Sequence, residues 1–172
     1  TQDTATTGFQ AASVTGVFPG GNDIWASVNA NISWPGFQKS VHKRDAGTGQ
    51  WLHTPFEQIA ATDDGHLFAL SNDTLMRSDD GGANWYVLPP PFFWGGTYYS
   101  FMDLSAAGNI VYLTRANIYV YSKDYGENWL EMPPLFGDAF GFVSYDNGKF
   151  TAATSNSVVL QSTDGINWQS IN

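Results

Sequence analysis

Residues 78–85 read Ser-Asp-Asp-Gly-Gly-Ala-Asn-Trp and residues 122–129 read Ser-Lys-Asp-Tyr-Gly-Glu-Asn-Trp. Both fit the octapeptide Ser-x-Asp-x-Gly-x-x-Trp, at Ser78, Asp80, Gly82, Trp85 and again at Ser122, Asp124, Gly126, Trp129. A third copy, Ser162, Asp164, Gly165, Trp168, has lost one residue between Asp and Gly. A fourth, Asp45, Gly47, Trp51, has gained one and carries Lys43 where the others have Ser. The four Trp residues lie 34, 44 and 39 positions apart, a spacing of about 40 that suits one four-stranded propeller blade. The residue types describe a hairpin turn. Asp accepts hydrogen bonds from backbone N–H groups a few residues on, Gly supplies the positive φ of the return, Ser ties the strand end to the loop, and Trp starts the next strand.

Outward from each turn the chain repeats one four-strand unit. Strands are expected before the turns at Thr74 to Arg77, Ile118 to Tyr121 and Val158 to Gln161, and after their Trp residues. Two more precede them: Glu57 to Ala61 and His66 to Leu70 around Asp64-Gly65, Ser100 to Leu104 and Ile110 to Thr114 around Gly108-Asn109, and Gly141 to Tyr145 and Phe150 to Thr154 around Asn147-Gly148. The first unit, with Ser13 to Val17, Ile24 to Val28 and Lys39 to Arg44, is the least regular. Expected blades are approximately 9–54, 55–88, 97–132 and 139–172 of a single domain covering 1–172. The predicted fold is all-β: a β-propeller of four four-stranded blades, closed on itself or forming half of a larger ring completed by a second chain.

Composition narrows the function. The 172 residues carry 7 Lys plus Arg against 16 Asp plus Glu, a net charge of -9, and the cations are scattered, so nucleic acid is not an expected partner. With Cys 0, thiolate catalysis and cysteine-based metal sites are excluded. The three histidines, His42, His53 and His66, lack ligand spacing, so neither a metal site nor a cofactor is expected. No apolar run approaches the roughly 18 residues of a membrane helix, and no membrane insertion is expected.

The four turns resemble the Asp-box (BNR) repeats of sialidases, sortilin-type receptor domains, photosystem II assembly factors, some glucanases and several lectins. The resemblance implies that each box lies between the third and fourth strands of a blade, and that most relatives have six or more blades. It also raises a sialidase-like activity, which needs an arginine triad. Only Arg44, Arg77 and Arg115 are present, each read as a solvated strand end. Among carboxylates outside the turns, Glu57, Asp103, Glu131 and Asp138 remain, with Glu57 and Asp103 expected to face the central channel. The chain is therefore expected not to be an enzyme.

The loops opposite the boxes look better suited to function. Pro89 to Tyr99 carries Phe93, Trp94, Tyr98 and Tyr99. Asn31 to Phe37 carries Trp34 and Phe37, and Pro133 to Phe140 carries Phe136. Trp34 and Trp94 have no role in the repeat. Proline-stiffened aromatic loops provide rigid area for stacking on sugar rings or anchoring a protein. The expectation is a non-enzymatic recognition module, secreted or at a cell surface, that binds a glycan or protein ligand at Trp34, Phe37, Phe93, Trp94, Tyr98, Tyr99 and Phe136. The alternatives are a structural subunit of a surface filament or virion, in which the loops meet a second copy of the chain, and a fragment of a sialidase-like glycoside hydrolase.

Overall fold

The computed structural model describes residues 11–31, 37–72, 74–89, 103–115, 118–132, 140–154 and 157–171. Sixteen strands form four antiparallel sheets of four consecutive strands each. Blade 1 contains β1 (Ala11–Gly20), β2 (Asp23–Asn31), β3 (Phe37–Arg44) and β4 (Trp51–His53). Blade 2 contains β5 (Gln58–Ala61), β6 (Leu67–Ser71), β7 (Thr74–Ser78) and β8 (Tyr86–Val87). Blade 3 contains β9 (Asp103–Ala107), β10 (Ile110–Arg115), β11 (Ile118–Ser122) and β12 (Leu130–Glu131). Blade 4 contains β13 (Phe140–Asp146), β14 (Lys149–Thr154), β15 (Val159–Ser162) and β16 (Gln169–Ser170). The chain is a four-bladed β-propeller. The expected strand at 100–104 is found only from Asp103 onward, its first three residues lying outside the described ones. Blade 1, expected to be the least regular, has the longest strands; a bulge between Val14 and Gly16 shifts the register of its first strand.

The turns between third and fourth strands are built by side-chain acceptors. At residues 78–85, Gly82 N–H donates to Ser78 Oγ at 2.8 Å, Ser78 Oγ donates to Asp80 Oδ1 at 2.9 Å, and Asn84 N–H donates to the same carboxylate oxygen at 2.8 Å. Asn84 Nδ2 also donates to Asp80 Oδ2. Equivalent bonds join Ser122, Asp124, Gly126 and Asn128, and the shortened copy keeps them through Ser162, Asp164, Gly165 and Asn167. In the fourth copy Thr48 substitutes, its N–H and hydroxyl both donating to Asp45 Oδ1. The Asn before each of three Trp residues is thus part of the turn. The residue between Asp and Gly is left-handed in both full copies, Gly81 at φ 71° and Tyr125 at φ 58°, and its loss in the third copy removes that demand on the backbone.

Strand alternation gives every blade a forward face toward the next blade and a rear face toward the previous one. Three buried clusters fill the junctions. Phe18, Trp25 and Val41 of blade 1 meet Ile59, Leu67, Ala69 and Trp85 of blade 2. Phe68, Leu70, Leu75 and Leu88 meet Leu104, Val111, Leu113 and Trp129 of blade 3. Tyr112, Tyr121 and Met132 meet Val143, Phe150, Leu160 and Trp168 of blade 4. Forward side chains press on the glycine of the next turn: a Cβ on Gly82 would strike the Trp25 ring and one on Gly126 would strike Leu88, while the Tyr112 hydroxyl donates to the Gly165 carbonyl at 3.0 Å.

Because Ser78 is fully buried, Ser78→Ala strands the Gly82 N–H and is expected to cost about 1–3 kcal/mol in a urea titration. The N–H and side chain of Asn84, with Ser78, hold the Asp80 carboxyl down to about 2, and the Thr48 hydroxyl and N–H lower Asp45 from its ordinary value of 3.8. Carboxyls depressed by folding take up protons first in the unfolded chain, so their stabilisation is complete above pH 3.8 and lost as pH falls toward 2. Thermal melts are expected to show the midpoint dropping through that window, with a shallower drop in Asp80→Asn.

Candidate functional site

Residues of all four first strands line one cavity of about 260 Å³: Thr15 and Gly16 of β1, Gln58 and Ile59 of β5, Leu104 and Ser105 of β9, and Val143 of β13. Asn29, Lys39, Glu57 and Asp103 also line it. Glu57 and Asp103 thus share the cavity that the sequence reading assigned to them. Glu131 is exposed on β12, away from it, and Asp138 lies outside the described residues.

Lys39 crosses from blade 1 to blade 3, its Nζ lying 3.5 Å from Asp103 Oδ1. Burial pushes the Asp103 carboxyl above its ordinary value, while Lys39 and the Leu104 N–H work in the opposite direction. That N–H donates both to Asp103 Oδ1 at 3.1 Å and to Gln58 Oε1 at 3.0 Å, tying blade 2 to the head of β9. The cavity therefore offers a cation, carboxylate and amide acceptors, and hydroxyls around apolar walls, a set that matches a hydroxyl-bearing ligand. Among the described residues no group of three or more His, Asp or Glu is placed to hold a metal ion.

Trp34, Phe93, Trp94, Tyr98, Tyr99 and Phe136 lie outside the described residues, and Phe37 is described only as the backbone start of β3, paired with Asn31. The described strands that flank those stretches nevertheless contribute residues to the cavity. Residues 32–36 join strands whose Asn29 and Lys39 line it, the connection from β8 ends at Asp103, and the connection from β12 leads into the strand of Val143. Lys39 was not singled out by sequence reasoning. Its only signal is a position three residues after Gly36, and its partner is 64 residues away.

The opposite end of the molecule carries a second polar cluster. Arg77, expected as a solvated strand end, is corrected by the structure: its side chain is only 18% exposed. It stands on the forward face of β7 and donates to the Tyr125 carbonyl at 3.0 Å and to Glu127 Oε1 at 3.1 Å in the next blade. Tyr125 donates its hydroxyl to Asp64 at 2.6 Å and stacks on His66, whose Nδ1 lies 2.8 Å from Asp79 Oδ1. These contacts clamp blades 2 and 3 together.

No family model and no curated protein matches the chain. Solved structures do. One titled "YCF48 bound to D1 peptide" aligns at TM-score 0.50 with 24% identity, covering 65% of this chain and 39% of its own. The extracellular domain of a putative one component system from B. thetaiotaomicron aligns at TM-score 0.60 with 12% identity over 92% of this chain and 22% of its own. The GH74 enzyme of Niastella koreensis aligns at TM-score 0.53 with 14% identity over 95% of this chain and 31% of its own. The likeness is one of β-propeller fold. This chain spans less than two fifths of each of those chains. Among the described residues no helix is long and apolar enough to cross a membrane.

Removing the cation beside Asp103 should raise its already elevated carboxyl further. Carbon-detected NMR titration is expected to place the Asp103 midpoint higher in Lys39→Met than in the unsubstituted protein; equal midpoints would show that Lys39 has no electrostatic hold on it.

Proposed function

We propose that this propeller is a non-enzymatic recognition module of the Asp-box type, and that it binds a glycan outside the cell through the aromatic residues of the connections between its strands. One observation carries the reading: the strands flanking the stretches that bear Trp34, the Phe93-Trp94 pair and Phe136 contribute Asn29, Lys39, Asp103 and Val143 to one polar cavity. Six of the fifteen residues between β8 and β9 are aromatic: Phe92, Phe93, Trp94, Tyr98, Tyr99 and Phe101. Aromatic faces stack on sugar rings, and Asp103, Glu57, Gln58 and Lys39 supply the acceptors and donor that hydroxyls need. A protein segment anchored by the same aromatics is the other ligand class compatible with this surface. The extracellular setting fits the sensor domain among the similar structures.

A second reading, a glycoside hydrolase, is favoured by the placement of Glu57 and Asp103 in one cavity, with Asp103 kept protonated more readily than an ordinary carboxyl.

Glycan-array binding is expected to show discrete ligands for the unsubstituted chain, with Trp94→Ala weakening binding by at least about tenfold at an unchanged melting temperature. A blank array together with hydrolysis of fluorogenic glycosides that is abolished in Asp103→Asn would replace this reading with the hydrolase.

A further inference from the structure

Among the described residues that line the cavity, three carry ionisable side chains: Lys39, Glu57 and Asp103. Lys39 is committed to Asp103, with its Nζ 3.5 Å from Oδ1. Glu57 is the charge left over, since among the described residues no cation pairs with its carboxylate. Its backbone is nonetheless fixed. The Glu57 N–H donates to the Leu70 carbonyl at 2.8 Å, the preceding Phe56 is buried with its ring centroid 4.5 Å from that of Trp85, and the following Gln58 accepts from the Leu104 N–H at 3.0 Å. An exposed, unpaired carboxylate thus stands on a backbone that a ligand does not have to order. Ser27, Asn29 and Ser105 line the same space. At about 260 Å³ the cavity falls short of the roughly 300–1,000 Å³ that encloses a drug-sized ligand, so it has room for one terminal ring.

We propose that the sugar ring taken up in this cavity carries an amino group, and that Glu57 selects it by pairing with the ammonium. The inference deepens the glycan-binding reading above and rests on it. Two carboxylates against one ammonium leave the cavity with an excess of negative charge, in a chain whose net charge is -9, and that field attracts cationic ligands and repels acidic ones. A sugar carboxylate reaches Lys39 only in competition with Asp103 and against the repulsion of Glu57. A neutral sugar offers Glu57 a hydroxyl, but an ammonium offers it a hydrogen bond in which both partners are charged, the stronger of the two. The remaining hydroxyls of the ring then have the side chains of Ser27, Asn29 and Ser105 as partners. Glu57 is accordingly a specificity-determining residue, and the Lys39–Asp103 pair beside it keeps the one cation of the cavity out of the contact.

Calorimetric titration of the full chain at about pH 6, where amines and ordinary carboxylates are both charged, tests this with three sugars that share a backbone and differ in charge: fully deacetylated chitotetraose, cellotetraose and tetraglucuronate. The amine-bearing tetramer is expected to bind at least about threefold more tightly than the neutral one, and the acidic tetramer more weakly than both. In Glu57→Gln the ratio of amine to neutral affinity is expected to fall to about one, at an unchanged melting temperature because the side chain is exposed. Glu131→Gln, which removes the same charge from the exposed strand β12 away from the cavity, is expected to keep the ratio. The proposal is overturned by a neutral or acidic tetramer that binds as tightly as the amine, by a ratio that survives Glu57→Gln, or by one lost equally in Glu131→Gln. If the glycan array shows ligands but none of the three tetramers binds, the selection by Glu57 falls and the glycan reading stands; if both are blank, both fall. A tetralysine peptide bound more tightly than the amine-bearing tetramer would assign the Glu57 carboxylate to a protein segment instead.

Discussion

The structure depends on one repeated contact, a forward-facing side chain of one blade pressed against the hydrogen-bonded turn of the next. Trp25 lies against Gly82, Leu88 against Gly126, and the Tyr112 hydroxyl binds the Gly165 carbonyl. The turn has to be rigid before it can serve as a wall. Rigidity comes from one carboxylate and one hydroxyl that gather the backbone N–H groups of the return, so that few donors are left unpaired where the neighbouring blade excludes water. The glycine is required twice, once by its positive φ and once by the space its missing Cβ leaves to the neighbour. Local turn chemistry and blade-to-blade packing are therefore one constraint.

That constraint explains why so much of the fold is legible in the sequence. Ser, Asp, Gly and Trp at fixed spacing are recognisable because each does a job within eight residues, and the strands between turns alternate as half-buried strands must. The Asn before Trp85, Trp129 and Trp168 is equally local and equally repeated, and it could have been read by the same comparison of copies. Arg77 could not. Beside a turn it looks like a solvated cation, and only the placement of the Tyr125 carbonyl, 48 residues onward, turns it into a clamp. Lys39 is illegible for the same reason, since its carboxylate stands two blades away. Glu57 and Asp103 were legible because a carboxylate with no turn to serve, at the start of an innermost strand, has few places to point except the axis.

Trp51 shows how a repeat reports its own interruption. Its turn is the least faithful copy, with Lys43 for Ser and Thr48 in place of the Asn, and its ring is the one box Trp left substantially exposed where Trp129 and Trp168 are buried. Blade 4 mirrors it, with Thr151 where an aromatic presses forward in the other three blades. The two departures fall on the two faces that, among the described residues, no buried apolar cluster joins. Sequence drift at scattered positions would not select those faces, whereas release from a common packing demand does so necessarily, because the turn and the forward aromatic are constrained by each other.

The same logic separates stability from recognition. On the face of the ring that carries the turns, nearly every polar side chain is occupied: Asp80, Asp124 and Asp164 by backbone N–H groups, Arg77 and Tyr125 by the neighbouring blade, Asp64 and Asp79 by Tyr125 and His66. A substitution there disturbs the fold before it can adjust a ligand. The longest connections in the chain, between β8 and β9 and between β12 and β13, concentrate aromatic residues that the box repeat does not require. Asp103 belongs to both regimes, bonded to the backbone of its own strand yet raised from its ordinary value by partial burial beside a cavity that also holds Lys39. Around the cavity, by contrast, Lys39, Gln58 and Asp103 bond across blades without building a turn, so a substitution there leaves the box turns and their glycine contacts in place.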